Sequence, residues 1–141
     1  MRVNELSEKL SITPDTVRYY TRIGLLSPRK SLENGYKNYS PGDEKRLVFI
    51  LKARNLGFSV AEVQEIIAVS ETGASPCCKV REMVFKHMEE TLVKIEELQR
   101  LHNHMKNATE RWETMPDSMP DGDSVCDLIE MWEAVDLDHA V

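Results

Sequence analysis

The chain contains no apolar run near the roughly 18 residues that a membrane-spanning helix requires. Its N-terminal stretch, MRVNELSEKL, has no apolar leader segment, so a cytoplasmic location and no membrane partner are expected. Catalytic groupings are missing too. No paired carboxylates, no nucleophile beside a base and no phosphate-cradling glycine loop stand out, so an enzyme is not expected. Cysteine is scarce, at three in 141 residues. In a reducing compartment such thiols argue against a structural disulfide and leave metal binding or redox sensing open. Glycine and proline are absent from Cys77 through Trp112. What remains is 30% charged and 41% hydrophobic residues, an ordinary soluble composition for one domain or two small ones.

Charge divides the chain. Residues 1–70 carry 11 Lys/Arg against 8 Asp/Glu, a net of +3, while residues 71–141 carry 7 against 16, a net of −9. A mildly basic half followed by a strongly acidic one suggests two different tasks, read either as no more than a solvated acidic surface or as a nucleic-acid reader joined to something else.

The first half reads as a helix-turn-helix with a wing. Val3, Leu6 and Leu10 share one face of a short helix over 4–10. In SITPDTVRYYTRIGLL, Thr13 suits an N-cap, Pro14 the first helical position and Asp15 the positive helix end. Val17, Tyr20 and Ile23 then face inward, leaving Thr16, Arg18, Tyr19 and Arg22 for a partner such as DNA. In SPRKSLENGYKNYSP, the Asn34-Gly35 pair between short extended segments signals a hairpin. Arg29, Lys30 and Lys37, with Tyr36 beside them, would meet phosphates and set register without reading bases; the alternative is an ordinary surface hairpin. Ser40-Pro41 starts a helix to Asn55 with Leu47, Ile50 and Leu51 inward. Gly57 ends that region, and Ser59 with Glu62 makes a capping-box pattern for a helix to about Val69, with Val60, Val63 and Ile67 as core. Phe49 and Phe58 are expected in the core.

From Cys77 to Trp112 a single helix would run roughly 50 Å, too long for a lone surface helix of a small domain. Val84, Met88, Ile95, Leu98 and Met105, supported by Val80, Leu92 and Leu101, recur as a coiled-coil seam, and the simplest partner is a second copy of the chain. His87, His102 and His104 lie along this helix as surface or seam residues rather than ligands. ETMPDSMPDGDS reads as a loop. Val125-Cys126-Asp127-Leu128-Ile129 opens a short helix through about Trp132 to Val135, and DLDHAV is a loose tail.

The stretches TPDTVRYYTRIGLLSPRKSLENGYKNYS and EKRLVFILKARNLGFSVAEVQEII, followed by the long helix, resemble the MerR family of bacterial transcription regulators. The resemblance implies a mostly α fold: a winged helix-turn-helix over 1–72, a long antiparallel dimerisation helix over 76–112, and a short metal-binding loop and helix within 113–141. It also implies a homodimer on a promoter whose spacer is too long, which effector binding bends and untwists so that RNA polymerase can use it. Metal sensors of the family carry a cysteine at the start of the dimer helix, a place that is serine in copper and gold sensors. They carry another at its end and a third after a short loop. Cys77 matches the first place, with Cys78 beside it, and Cys126 the third. Trp112 stands where the second is expected, and the loop is longer than usual.

That pattern resembles the sensors of divalent zinc, cadmium, lead or mercury, ions that thiolates select. In an antiparallel dimer Cys77, with Cys78, of one protomer would meet Cys126 of its partner. Adjacent side chains in a regular helix point about 100° apart, but after Pro76 the backbone is freer and the positive helix end favours a thiolate. Three thiolates suit Hg(II), Pb(II) or Cd(II), while Zn(II) asks for a fourth ligand, from water, Asp117, Asp121, Asp123 or His87. Copper(I) is disfavoured, because a cysteine holds the serine place and the helix-end cysteine is absent. The alternative is a regulator of the same family gated by thiol oxidation or electrophiles.

Overall fold

The computed structural model describes residues 1–133. Its elements are α1 (Val3–Leu10), α2 (Pro14–Arg22), β1 (Arg29–Lys30), β2 (Lys37–Asn38), α3 (Pro41–Asn55), α4 (Val60–Glu71), α5 (Cys77–Trp112) and α6 (Asp127–Glu130). They form two compact units, Met1–His87 and Met88–Val141, so the boundary falls inside α5. The proposed end of the short helix at Val135 and the tail DLDHAV lie outside the described residues.

In the first unit, helix starts follow local side-chain chemistry. Thr13 Oγ1 accepts the Thr16 backbone N–H at 3.2 Å, and Pro14 supplies a preset φ at the first position. Ser40 and Asp43 cap α3 reciprocally, and Ser59 and Glu62 do the same for α4. Asp43 reaches further, accepting the Ser27 N–H at 3.1 Å, which ties α3 to the segment leading into the wing. The turn from α1 to α2 is tight: Ser11 takes φ 56°, and the Ile12 N–H donates to the Ser7 carbonyl at 3.0 Å.

The wing is a two-stranded antiparallel ribbon pairing Arg29 with Asn38 and Lys30 with Lys37. Its loop is longer than the two-residue turn that Asn-Gly favours. The Ser31 N–H donates to the Tyr36 carbonyl at 2.8 Å, and Gly35 takes φ 73°, a conformation open to glycine. Asn34 braces the loop by accepting the Tyr36 N–H at 3.0 Å. The ribbon is fastened at its base: the Tyr39 N–H donates to the Met1 carbonyl at 2.6 Å, and the buried Tyr39 ring places its hydroxyl 2.7 Å from Thr21 Oγ1.

One apolar core joins these parts. It contains Leu6, Val17, Tyr20, Leu47, Ile50, Phe58, Val63 and Ile67, as the periodicity predicted, and also Leu25, Leu26, Tyr39, Ala53 and Ile66. Val60 and Leu51 pack at its edge, as do Val80, Met83 and Val84 from the first turns of α5. Phe49 departs from expectation. It is 42% exposed, because the inward face of α3 is set by Leu47, Ile50 and Ala53 and residue 49 points about 100° away from residue 50.

Two polar contacts fasten the root of α5 to α4: the Lys79–Glu65 ion pair, and a hydrogen bond between His87 Nε2 and the Glu62 carboxylate, with its two oxygens at 2.8 and 3.0 Å. The Ser59 backbone N–H holds the Glu62 carboxyl below its ordinary range, and His87 adds to this. The folded state therefore releases that proton more readily than the unfolded chain does. The resulting stability is present above the ordinary glutamate value of 4.5 and is lost as pH falls through the lower folded value. Glu62→Gln keeps an acceptor in the capping box but removes the charge. It is expected to cost about 1 kcal/mol or less at neutral pH and to flatten the acid limb of a Tm-against-pH curve. Parallel acid limbs for the two proteins would contradict this.

In the second unit, the α5 residues from 88 to 103 are all exposed, and Ala108 is buried. Trp112 closes the helix. Its Nε1–H donates to the Leu128 carbonyl at 3.0 Å, and its ring meets Trp132 edge to face with centroids 6.5 Å apart. Among the described residues the last helix is a single turn: α6 ends at Glu130, Met131 is its C-cap, and Trp132 lies beyond it. Among the described residues no helix is long and apolar enough to cross a membrane.

Candidate functional site

The residues expected to face DNA lie on α2 and the wing. On α2, Arg18 and Arg22 are exposed, Thr16 is half-buried, and Tyr19 is 38% exposed while Tyr20 is buried beneath it, ring centroids 5.3 Å apart. The Arg22 guanidinium lies 5.6 Å from the Tyr19 ring centroid. Arg18 donates to Asp15 at 3.0 Å, an exposed pair of small energetic weight that a phosphate could displace. Thr16 Oγ1 lies 2.9 Å from Thr13 Oγ1, so this hydroxyl is engaged in the cap.

On the wing Arg29, Lys30, Tyr36 and Lys37 are all exposed. Among the described residues Lys9, Arg18, Arg46 and Lys79 make ion pairs with carboxylates, whereas none involves Arg29, Lys30 or Lys37. The register also sets Lys30 directly opposite Lys37. Like charges facing each other across two strands destabilise the ribbon. A surface that keeps such a conflict beside unneutralised cations is suited to an anion. Sequence reading missed Arg2, whose guanidinium sits 4.6 Å over the Tyr36 ring and adds a further cation to this side of the wing. No spacing or motif signals it, because the stack joins residues 34 positions apart.

The three cysteines are free thiols. Cys77 and Cys78 are exposed at the start of α5, where the Cys77 N–H donates to Ser75 Oγ at 3.3 Å. Cys126 is half-buried at the N-cap of α6, and its side chain makes no cap hydrogen bond. Among the described residues of one chain, no three His, Cys, Asp or Glu side chains form a group able to hold a metal ion. The donor type, a thiol, fits a thiophilic ion. The candidate fourth ligands differ in availability. Asp121 accepts the Asp123 and Ser124 N–H groups, both at 2.8 Å, and these hold its carboxyl below the ordinary range. His87 Nε2 is engaged by Glu62. Asp117 and Asp123 are exposed.

Two family models match this chain: "MerR HTH family regulatory protein" over residues 1–69 and "MerR, DNA binding" over residues 44–108. The mercuric resistance operon regulatory protein of Bacillus cereus is 31% identical over 110 residues, covering 78% of this chain and 83% of that protein. The chain belongs to the MerR family. It is a DNA-binding transcription regulator and not an enzyme. The heavy metal-dependent transcription regulator 2 of Rhizobium meliloti (strain 1021) is 31% identical over 107 residues, 76% of this chain and 73% of that one. The crystal structure of the regulator PbrR691 from Ralstonia metallidurans CH34 in complex with lead(II) superposes with a TM-score of 0.71 at 23% identity. It covers 94% of this chain and 99% of that one, and the likeness shows the shared fold, mostly helical with a small antiparallel wing. In this MerR-family chain Cys77 and Cys78 fall within the matched family segments, and Cys126 lies beyond residue 108 where they end.

Proposed function

We propose that this chain is a metal-responsive regulator. It binds, as a homodimer, a promoter with an over-long spacer, and activates transcription there by distorting the DNA for RNA polymerase. The trigger is a divalent soft or borderline ion, Zn, Cd, Pb or Hg, held by Cys77, Cys78 and Cys126 across the dimer. One observation carries this reading: every cysteine in the chain is an unpaired thiol, two at the start of α5 and one at the N-cap of α6. Similarity to regulators named for mercury and heavy metals supports it. Cys77, Cys78 and Cys126 would hold such an ion as thiolates, and its binding free energy would then add to the stability of the dimer. The exposed apolar residues Met88, Leu92, Ile95, Leu98, Leu101 and Met105 provide the seam on which a second α5 would pack.

The test is titration of the reduced protein with each ion, read by thiolate-to-metal absorbance and by mass. A band and one bound ion per site are expected. Absence of a band for all four ions would sink the metal reading and favour gating by thiol oxidation, the second reading, to which the exposure of Cys77 and Cys78 lends support.

For the DNA face, Lys37→Ala is expected to act with opposite signs on two measurements. Promoter affinity should fall for every sequence, with the salt slope lowered by about 1. The free protein should gain slightly in stability, by about 0.2–1 kcal/mol, seen as a small rise in Tm, because the Lys30–Lys37 conflict is gone. An unchanged salt slope would remove Lys37 from the phosphate contacts.

A further inference from the structure

Cys126 begins a helix that has little means of standing alone. Four residues make a single turn, and a nucleus of that size is unfavourable in water. Glu130 Oε1 accepts the Val125 N–H across the turn at 3.0 Å, and among the described residues two hydrogen bonds fasten it from outside. The Asp127 N–H donates to Ser118 Oγ at 3.3 Å, and the Trp112 Nε1–H donates to the Leu128 carbonyl at 3.0 Å. Trp132, just past the turn, closes edge to face on Trp112. Within the turn, the Glu130 N–H donates to the Cys126 carbonyl at 3.0 Å. A shift of Leu128 away from Trp112 would therefore carry Cys126 with it.

We propose that Trp112 is a positioning residue for Cys126: an aromatic and hydrogen-bonded clamp at the end of α5 orders the thiol-bearing turn before any ion binds. The proposal rests on the reading of Cys126 as a ligand. The thiol is then presented in one conformation, and less ordering entropy is lost on binding. A tryptophan suits the part because its indole N–H, here half-buried, can donate to an acceptor while its ring supplies a large apolar face.

The experiment uses reduced, metal-free, full-length protein. Amide hydrogen exchange across residues 125–132 reports the clamp, Cd(II) titration by thiolate absorbance reports the ligand, and promoter binding reports the reader. Both tryptophans of the chain lie in the clamp, so near-ultraviolet circular dichroism reads it directly. Trp112→Ala is expected to raise exchange at least tenfold and weaken Cd(II) binding about tenfold, with promoter affinity within twofold. Trp112→Phe keeps a ring and loses the donor, and should fall between. Trp132→Ala, which leaves α5 intact, should move exchange and Cd(II) affinity the same way. Unchanged exchange in Trp112→Ala, or raised exchange with unchanged Cd(II) affinity, overturns the proposal. A wild type giving no thiolate band would instead sink the metal reading itself, so the two failures are distinguishable.

Discussion

Leu98→Glu is expected to dissociate the homodimer and, with it, specific promoter binding. Leu98 is 65% exposed in the single chain, amid Met88, Leu92, Ile95, Leu101 and Met105, all likewise exposed. These residues recur three or four apart on one helix, so they form one stripe. Burying a leucine contributes about 1.5–3 kcal/mol, and in a two-fold interface each substitution counts twice. The variant therefore loses roughly 3–6 kcal/mol, or about 10²–10⁴ in the dimer Kd, before the cost of placing two glutamates at the seam. Sedimentation at micromolar concentration should show a monomer. Promoter affinity should fall with it, since two readers held at a fixed spacing engage two half-sites and one reader engages one. The first unit keeps its core, because that core draws on α5 through Val80, Met83 and Val84 and not through Leu98. A Leu98→Glu protein that remains dimeric at those concentrations would move the interface elsewhere.

The parts of this fold that were legible from sequence are those governed by near neighbours. Thr13 with Pro14, and Ser59 with Glu62, announce helix starts because the capping bonds span three residues. The absence of proline and glycine from 77–112 marks α5 because nothing in that span interrupts a helix. Contacts between distant positions were not legible. Tyr39 is a buried pin because its hydroxyl finds Thr21, 18 residues back. Arg2 joins the wing through a ring 34 residues on. Phe49 misled because a large apolar side chain in an apolar stretch of helix is read as core, whereas the neighbouring Leu47 and Ile50 had already claimed the inward face. The short helix after Cys126 looked longer in sequence because apolar residues continue to Trp132, yet Trp132 packs on Trp112 rather than extending the turn.

The candidate site follows the same division. Basic residues on a wing are visible in composition, but the direct opposition of Lys30 and Lys37 is a matter of register, which the loop from Ser31 to Tyr36 sets. Trp112 could be read from sequence only as a ligand missing from its expected place. Its hydrogen bond to the Leu128 carbonyl turns that gap into an interaction.

Cys126→Ser is the substitution with the sharpest expected separation of effects. Cys126 lies in the second unit, at the N-cap of α6, whereas α2 and the wing belong to the first. Serine is smaller, keeps the backbone conformation of an N-cap and is favoured there, so the turn and its bond to Trp112 should survive. Promoter affinity should stay within about twofold. The metal response should not survive, because a neutral hydroxyl does not replace a thiolate for a soft ion. If three thiolates share a binding free energy of roughly 10–16 kcal/mol, losing one costs about 3–5 kcal/mol, or about 10²–10⁴ in metal Kd. Transcription in vitro at saturating promoter occupancy should then stay at its metal-free level across ion concentrations that fully activate the wild type. Cys78→Ser makes the informative comparison, since a response equal to wild type would assign the work at the head of α5 to Cys77 alone. Full activation of Cys126→Ser by the ion would take Cys126 out of the site, and with it the requirement that two protomers share one ion.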